Sequence, residues 1–269
     1  MKKCSITIAL CLFVLTLHAV DHLRIGDVRS IGMGLNGVIE STQFNPALLS
    51  QYQTRRFTVG YVNRYGLKEL STFSASLFCP LSFLEGGIDV VSFGNDDYRE
   101  SLIRFALSKN LSEQWSLGVS FQYAFVQSLA YEQNPGQIAT DIGLTFKPVE
   151  NVLIGLLVMN LPSTTVSSSE LKMEGFMDYS VQVGIHYTLY DEVLITASVE
   201  HNKTTQFSGA FGMEYKPLKG FALRAGIHGE PFMPSVGTSI ELGQFQLDTA
   251  AFYDTYLGIS PALSLSLNF

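Results

Sequence analysis

The sequence predicts an all-β protein, a transmembrane antiparallel β-barrel of about fourteen strands preceded by a separate N-terminal segment. The first indication is the C-terminus, where apolar side chains occupy every odd position from Ile259 to Phe269 and small or polar ones every even position. Charged residues make up only 15% of the chain, against about 25% in ordinary soluble domains. No internal stretch approaches the roughly 20 apolar residues of a membrane-spanning helix. In lipid, only a helix or a closed barrel can satisfy its backbone hydrogen bonds, so the barrel is the expected solution.

Alternation with period two recurs from about residue 55 onward. One face of each segment is apolar, and the other is small and polar with many Gly and Ser residues; clear examples are 115–125, 138–146, 179–187, 207–215 and 221–228. We expect the apolar face to contact lipid and the polar face to line the lumen. A soluble secreted β-sandwich has half-buried strands that alternate in the same way, and it is the alternative fold.

The barrel is assigned to residues 55–269. Strands are predicted near 55–63, 69–79, 85–94, 99–108, 114–126, 137–147, 151–160, 178–189, 192–201, 206–216, 219–228, 234–242, 244–254 and 259–269. The region 69–94 is ambiguous, so about twelve strands is the alternative count. Tight links at 109–113, 147–151, 190–192, 216–218 and Gly243 interleave with longer ones, which is typical of short periplasmic turns and longer outer loops.

The ends of the chain carry two predicted targeting signals. Residues 1–19 are typical of a secretory signal peptide, with Lys2 and Lys3 before an apolar run and Ala19 at the cleavage site. The apolar face of the last strand is predicted to be the signal for the barrel-assembly machinery; its residues are Leu263, Leu265, Leu267 and Phe269. These signals predict the outer membrane of a Gram-negative bacterium, with lipid bilayer and lipopolysaccharide as surroundings. The net charge of −7 argues against binding to nucleic acid.

Residues 20–54 show no clean alternation and form the predicted N-terminal segment. The stretch from Gly32 to Gly37 fits the spacing of a dinucleotide-binding loop, G-x-G-x-x-G, but that motif works only inside a βαβ unit, and an all-β chain follows. No cofactor is therefore predicted. Further on, Pro46 fixes its own backbone and favours an extended Asn45, as expected for a rigid turn.

The same segment resembles the start of FadL-type and PorV-type barrels. The resemblance rests on residues 24–34 and on Asn45-Pro46-Ala47, with Leu35 and Leu48 standing where those families have glycine. It implies a fourteen-stranded barrel whose N-terminal segment, 20–54, is a hatch inside the lumen. The implied hatch positions are Gly32, Gly34, Asn45, Pro46 and Ala47. A simple turn in a periplasmic N-terminus is the alternative interpretation of Asn45-Pro46-Ala47.

The two families imply different functions. FadL-type proteins take up small hydrophobic molecules and release them sideways through the barrel wall, so a hydrophobic substrate is the expected partner. PorV-type proteins serve type IX secretion, so the alternative hypothesis is a non-transporting component of type IX secretion or envelope assembly. Its expected partners are secretion-system proteins.

Seven ionisable residues are predicted to face the lumen. They are Asp141, His186, Glu200, Glu214, Arg224, Glu241 and Asp248. Two interpretations remain open: a network that braces the barrel, and a polar path past the hatch. No spacing indicates a catalytic triad or a metal site, so neither an enzyme nor a metal protein is expected.

Overall fold

The computed structural model describes residue 23 and residues 27–129, 134–166, 177–203 and 207–269. The predicted signal peptide, 1–19, lies outside these residues. The strands are β1 Arg56–Asn63, β2 Ser71–Pro80, β3 Glu85–Gly94, β4 Tyr98–Asn110, β5 Trp115–Ser128, β6 Gly136–Val149, β7 Val152–Met159, β8 Ser163–Thr165, β9 Ser180–Tyr190, β10 Val193–Asn202, β11 Ser208–Leu218, β12 Phe221–His228, β13 Met233–Leu242, β14 Phe245–Asp254 and β15 Gly258–Asn268.

The strands form a closed antiparallel barrel. Each wall strand pairs with its neighbours in the chain, and β1 pairs with β15 to close the sheet, with Val59 opposite Leu265. The short β8 pairs only with β6, and β7 pairs directly with β9. The wall therefore has fourteen strands and β8 is an addition, which confirms the higher of the two predicted counts. The ambiguous region 69–94 is the β2–β3 hairpin.

The two faces of the wall have the predicted character over most of the barrel. On β15 the outward Leu263 and Leu265 are 47% and 45% exposed, whereas the inward Ser260 and Ser266 are fully buried. On β5 the exposed and buried positions alternate along nearly the whole strand. The exterior is thus an apolar band suited to lipid, and the polar face is turned inward. Within the described ranges, no helix is long and apolar enough to cross a membrane.

The links between strands differ at the two ends of the barrel. At the end where β15 finishes, called the C-terminal end here, the links are 81–84, 111–114, 150–151, 191–192, 219–220 and 243–244. The link expected at 216–218 was placed wrongly, because β11 continues to Leu218. Pro217 lacks a backbone N–H, and the pairing register shifts there between Tyr215 and Leu218, so the proline marks a bulge and not a turn.

The N-terminal segment lies inside the barrel. It contains helix α1 (Val28–Gly32), helix α2 (Gly37–Glu40) and a 3-10 helix (Pro46–Gln51). Helix α1 packs against β12–β15, α2 against β7, β9 and β10, and the 3-10 helix against β3–β6. The segment therefore contacts most of the inner circumference, and it occupies the middle of the lumen.

Candidate functional site in the barrel lumen

A band of inward-facing glycines seats the N-terminal segment. This glycine belt consists of Gly118, Gly143, Gly155, Gly184, Gly212, Gly226 and Gly237. Several are paired across strands, such as Gly118 with Gly143 and Gly212 with Gly226. A Cβ atom at Gly226 would collide with the backbone of Gly34. The belt therefore lets the segment's backbone approach the wall more closely than any side chain would allow.

Two of the implied hatch positions lie against β12 and β13. Gly34 adopts a φ of 79°, and its N–H donates to the Ser235 hydroxyl over 3.1 Å. Gly32 lies opposite Gly237, where an added Cβ would come within 3.3 Å of the Gly237 Cα. The next residue, Leu35, has a φ of 62°, a left-handed conformation that glycine adopts more easily.

Asn45, Pro46 and Ala47 join two parts of the segment. The fully buried Asn45 donates from Nδ2 to the Val38 carbonyl at 2.8 Å and accepts from the Ala47 N–H at 3.1 Å. Asn45 itself is extended, and Pro46 begins the 3-10 helix, where its fixed backbone angle fits the first position. Gly143 and Gly118 lie directly behind Asn45 and Ala47. The tripeptide is therefore held between α2 and the β5–β6 wall.

A network of charges connects the segment to the wall on one side. Its members, called the central ion network, are Arg29, Glu40, Glu214, Arg224 and Asp248. Arg29 donates to Glu214 at 2.6 Å and to Glu40 at 3.0 Å. Arg224 binds Glu214 at 2.6 Å and Asp248 at 2.8 Å. Glu214 thus lies between one arginine of the segment and one of the wall, which gives the buried carboxylate two opposite charges.

Glu40 shows the effect of this pairing on a group of the N-terminal segment. Burial by itself raises the pKa of its carboxyl. The Arg29 charge and the hydrogen bond to His186, at 2.9 Å, outweigh burial and hold that pKa below its usual value. Glu40 is therefore a carboxylate at neutral pH, as an ion-pair partner of Arg29 must be.

Arg104 holds the segment from the other side. The buried guanidinium donates to the carbonyls of Thr42 and Phe44 at 3.0 and 3.1 Å and to the Asp89 carboxylate at 2.9 Å. Its Nε lies 3.8 Å from Asp141. Asp141 also accepts from Ser120, Gln122 and the Asn160 N–H. This second network fixes the loop between α2 and Asn45 to β3, β4 and β6.

The seven residues predicted to face the lumen have different surroundings. Asp141, Glu214, Arg224 and Asp248 are buried within the two networks, and the partly exposed His186 contacts Glu40. Glu200 lies outside both networks, 3.4 Å from Asn202. Glu241 is exposed at the end of β13, beside a cavity at the C-terminal end. The structure therefore groups Glu214, Arg224 and Asp248 on one side of the segment, with His186 joined to them through Glu40 and Arg29. Asp141 lies in the separate Arg104 network.

Sequence reasoning missed Arg29, Glu40, Asp89 and Arg104. Arg29 and Glu40 lie in a segment without periodicity, so no pattern gave their direction. Asp89 and Arg104 lie opposite each other on β3 and β4, and the register of that hairpin could have indicated the pair.

The inner wall is not uniformly polar, contrary to expectation. At the end opposite the C-terminal end, an apolar lumen cluster lies on the inner side of β3–β6; it consists of Leu23, Val91, Phe93, Leu102, Ala124, Ala139 and Met177. On β3 both faces carry apolar residues, and this is the physical reason why its alternation was ambiguous. The members pack against one another and are buried, so apolar side chains fill this part of the lumen. No group of three or more metal-ligating side chains occurs among the residues that the structure describes.

Comparison with solved structures identifies the fold. The chain is similar to the toluene transporter TbuX of Ralstonia pickettii, with a TM-score of 0.71 and 13% identity over 93% of this chain and 100% of that one. It is also similar to the toluene transporter TodX of P. putida, with a TM-score of 0.68 and 12% identity over 92% and 99% of the two chains. A Pseudomonas aeruginosa FadL homologue gives a TM-score of 0.59 and 10% identity over 91% and 98%. The chain has the FadL-type barrel fold.

The FadL-type fold confirms the architecture that the N-terminal resemblance implied. At these identities the similarity establishes the fold alone. No protein-family model and no curated protein matches the sequence. The structures named above give no support to the PorV-type alternative.

Proposed function

We propose that this protein passes small hydrophobic molecules across the outer membrane of a Gram-negative bacterium, with the N-terminal segment as its hatch. The observation that carries the proposal is the apolar lumen cluster inside a barrel of the FadL-type fold. Displacement of this packing would expose Phe93, Leu102 and Met177 to an entering molecule, and their apolar side chains favour an apolar solute over an ion or a sugar. Since two of the similar structures are those of toluene transporters, a monoaromatic hydrocarbon is the substrate class to test first.

The proposed path begins at the end opposite the C-terminal end. An apolar molecule that continued along the barrel axis would meet Arg104 and the central ion network, where displacing paired charges is costly. Exit sideways through the wall into the bilayer avoids these charges, and it is the exit that the FadL-type resemblance implies. In this proposal the hatch moves relative to the glycine belt. The hatch residues that contact the belt are Gly32, Gly34, Asn45, Pro46 and Ala47.

The surroundings follow from the same proposal. The outward Leu263, Leu265 and Leu267 face lipid, Phe269 follows β15, and the barrel-assembly machinery is the proposed reader of this strand. Lipopolysaccharide is the proposed contact of the opposite end. The chemistry proposed here is passage without a covalent step.

An uptake assay tests the proposal. Because toluene crosses plain phospholipid, the purified protein is placed in vesicles whose outer leaflet is lipopolysaccharide, and entry of radiolabelled toluene is followed. We expect the protein to accelerate entry over empty vesicles. Phe93→Ser, in the apolar lumen cluster, should slow entry, whereas Phe78→Ser should not, since Phe78 is an inward, buried phenylalanine near the C-terminal end.

Both variants are compared at equal amounts of heat-modifiable, folded barrel. Entry no faster than in empty vesicles would contradict the proposed transport. If the protein also co-purified with a secreted protein and its export machinery, the PorV-like alternative would replace it.

A further inference from the structure

The N-terminal segment leaves a hydrophilic space along one side of the lumen. A cavity of about 530 Å³ opens at the C-terminal end and is lined by polar groups that include Arg56, Lys216 and Glu241. A second cavity of about 70 Å³ lies deeper, beside Thr58, Asp248 and Ser264. The two share Arg29, Tyr52 and Arg56 in their walls, so they are neighbours, and together they are called the recess here. The deeper part is several times the roughly 10–15 Å³ that one water needs, and its lining is polar enough to hold water.

The recess ends at an apolar collar. We define the collar as Val28 of α1 with Val62, Ala250, Phe252 and Ala262 of the wall, which pack together and are all buried. Val28 also lines the deeper cavity, so collar and recess are in contact.

The collar is a thin apolar zone between two polar ones, one residue deep on β15 and two residues deep on β14. On β14 the inward residues run Asp248, Ala250, Phe252, Asp254. On β15 they run Ser264, Ala262, Ser260, and Ser260 accepts a hydrogen bond from the Tyr65 N–H near the opposite end. Polar side chains therefore line the inner wall of β14 and β15 on both sides of the collar.

We propose that the recess is one half of a second passage, for water and small ions, which the apolar collar keeps shut. An apolar constriction of this kind excludes water and therefore stops ions, although the wall on both sides is hydrophilic. Val28 is the collar residue on the hatch, so displacement of α1 opens this passage. The passage runs from a mouth lined mainly by β11–β13 to the collar at β1, β14 and β15. The apolar lumen cluster lies at β3–β6, so the two are separate.

Ion current through planar lipid bilayers tests the inference with the full-length protein and no hydrophobic molecule present. Wild-type protein should show no current steps. Val62→Thr adds a hydroxyl to the collar at nearly constant shape, and Phe252→Ser removes its largest side chain; both should produce discrete current steps. The matched control is Val38→Thr, the same substitution at an equally buried valine of α2 that lines neither cavity.

The variants are first checked for the heat-modifiable band of a folded barrel. If neither folded collar variant produced current steps, the inference would be overturned. Equal currents from Val38→Thr and Val62→Thr would overturn it as well. Steps in wild-type protein would show that the collar does not close the passage. Because the assay contains no hydrocarbon, its result is independent of the toluene uptake measured above.

Discussion

Leu35 stands at a position where FadL-type and PorV-type barrels have glycine. Its φ of 62° costs a non-glycine residue roughly 1–2 kcal/mol. Its side chain packs against the buried apolar cluster that contains the collar residues together with Ile31 and Met233, which offsets part of that cost. The backbone of the turn is thus the one that a glycine would adopt, while the side chain supplies apolar contact.

Two substitutions at Leu35 separate these effects. Leu35→Ala loses the packing and keeps the backbone strain, whereas Leu35→Gly loses the packing and releases the strain. We expect the glycine variant to be more stable than the alanine variant by about 1 kcal/mol, measured by chemical unfolding in detergent. The reverse order would show that Leu35 is not strained in the folded protein.

At the residue level, alternation indicates the direction of a side chain only where the residue lies on a strand. Asp141, Glu214, Arg224 and Asp248 were placed inward from the alternation of their strands, and they are buried there. Arg29 lies in a segment of short helical turns, so its contact with Glu214 depends on how the whole segment packs. No local pattern carries that information.

At the scale of elements, most strand boundaries follow from alternation because the two faces of each strand meet lipid and lumen. The exceptions have local causes. Strand β11 continues past Pro217 because the pairing there forms a bulge. Between β7 and β8, Asn160 has a left-handed backbone conformation that interrupts the strand. The helices α1 and α2 are too short to give a helical period, and they could not be predicted in this way.

The glycine belt makes a testable element-scale prediction. Gly226→Ala places a methyl group against the Gly34 backbone, which cannot move aside as a side chain would. We expect the free energy of unfolding to fall by about 3 kcal/mol or more, and the N-terminal segment to be displaced from the wall. Limited proteolysis should then cut the segment in folded barrels. Gly209→Ala is the control, because Gly209 faces outward with its nearest neighbour at 3.6 Å; equal cleavage of both variants would refute the seating.

For the whole molecule, closure of the barrel follows from composition and alternation, since strands whose apolar face meets lipid satisfy all their backbone hydrogen bonds only when the sheet closes. Composition and alternation do not indicate what occupies the lumen. Barrels of 8 strands are filled by their own side chains, and those of 16–18 strands leave an aqueous channel. A wall of fourteen strands lies between these cases, and here the N-terminal segment supplies the filling.

Deleting residues 20–54, with the signal peptide retained, tests how far the wall depends on this filling. The backbone pairs of the wall lie within the wall, and after deletion Arg224 still pairs with Glu214 and Asp248, and Arg104 with Asp89. We therefore expect the truncated chain to keep a heat-modifiable barrel band, with a lower unfolding temperature. With α1 and the collar residue Val28 gone, it should also carry a large, steady ion current in planar bilayers. Loss of the folded band would mean instead that the wall closes only around its N-terminal segment, because the glycine belt without its occupant leaves the inner face of the sheet unpacked.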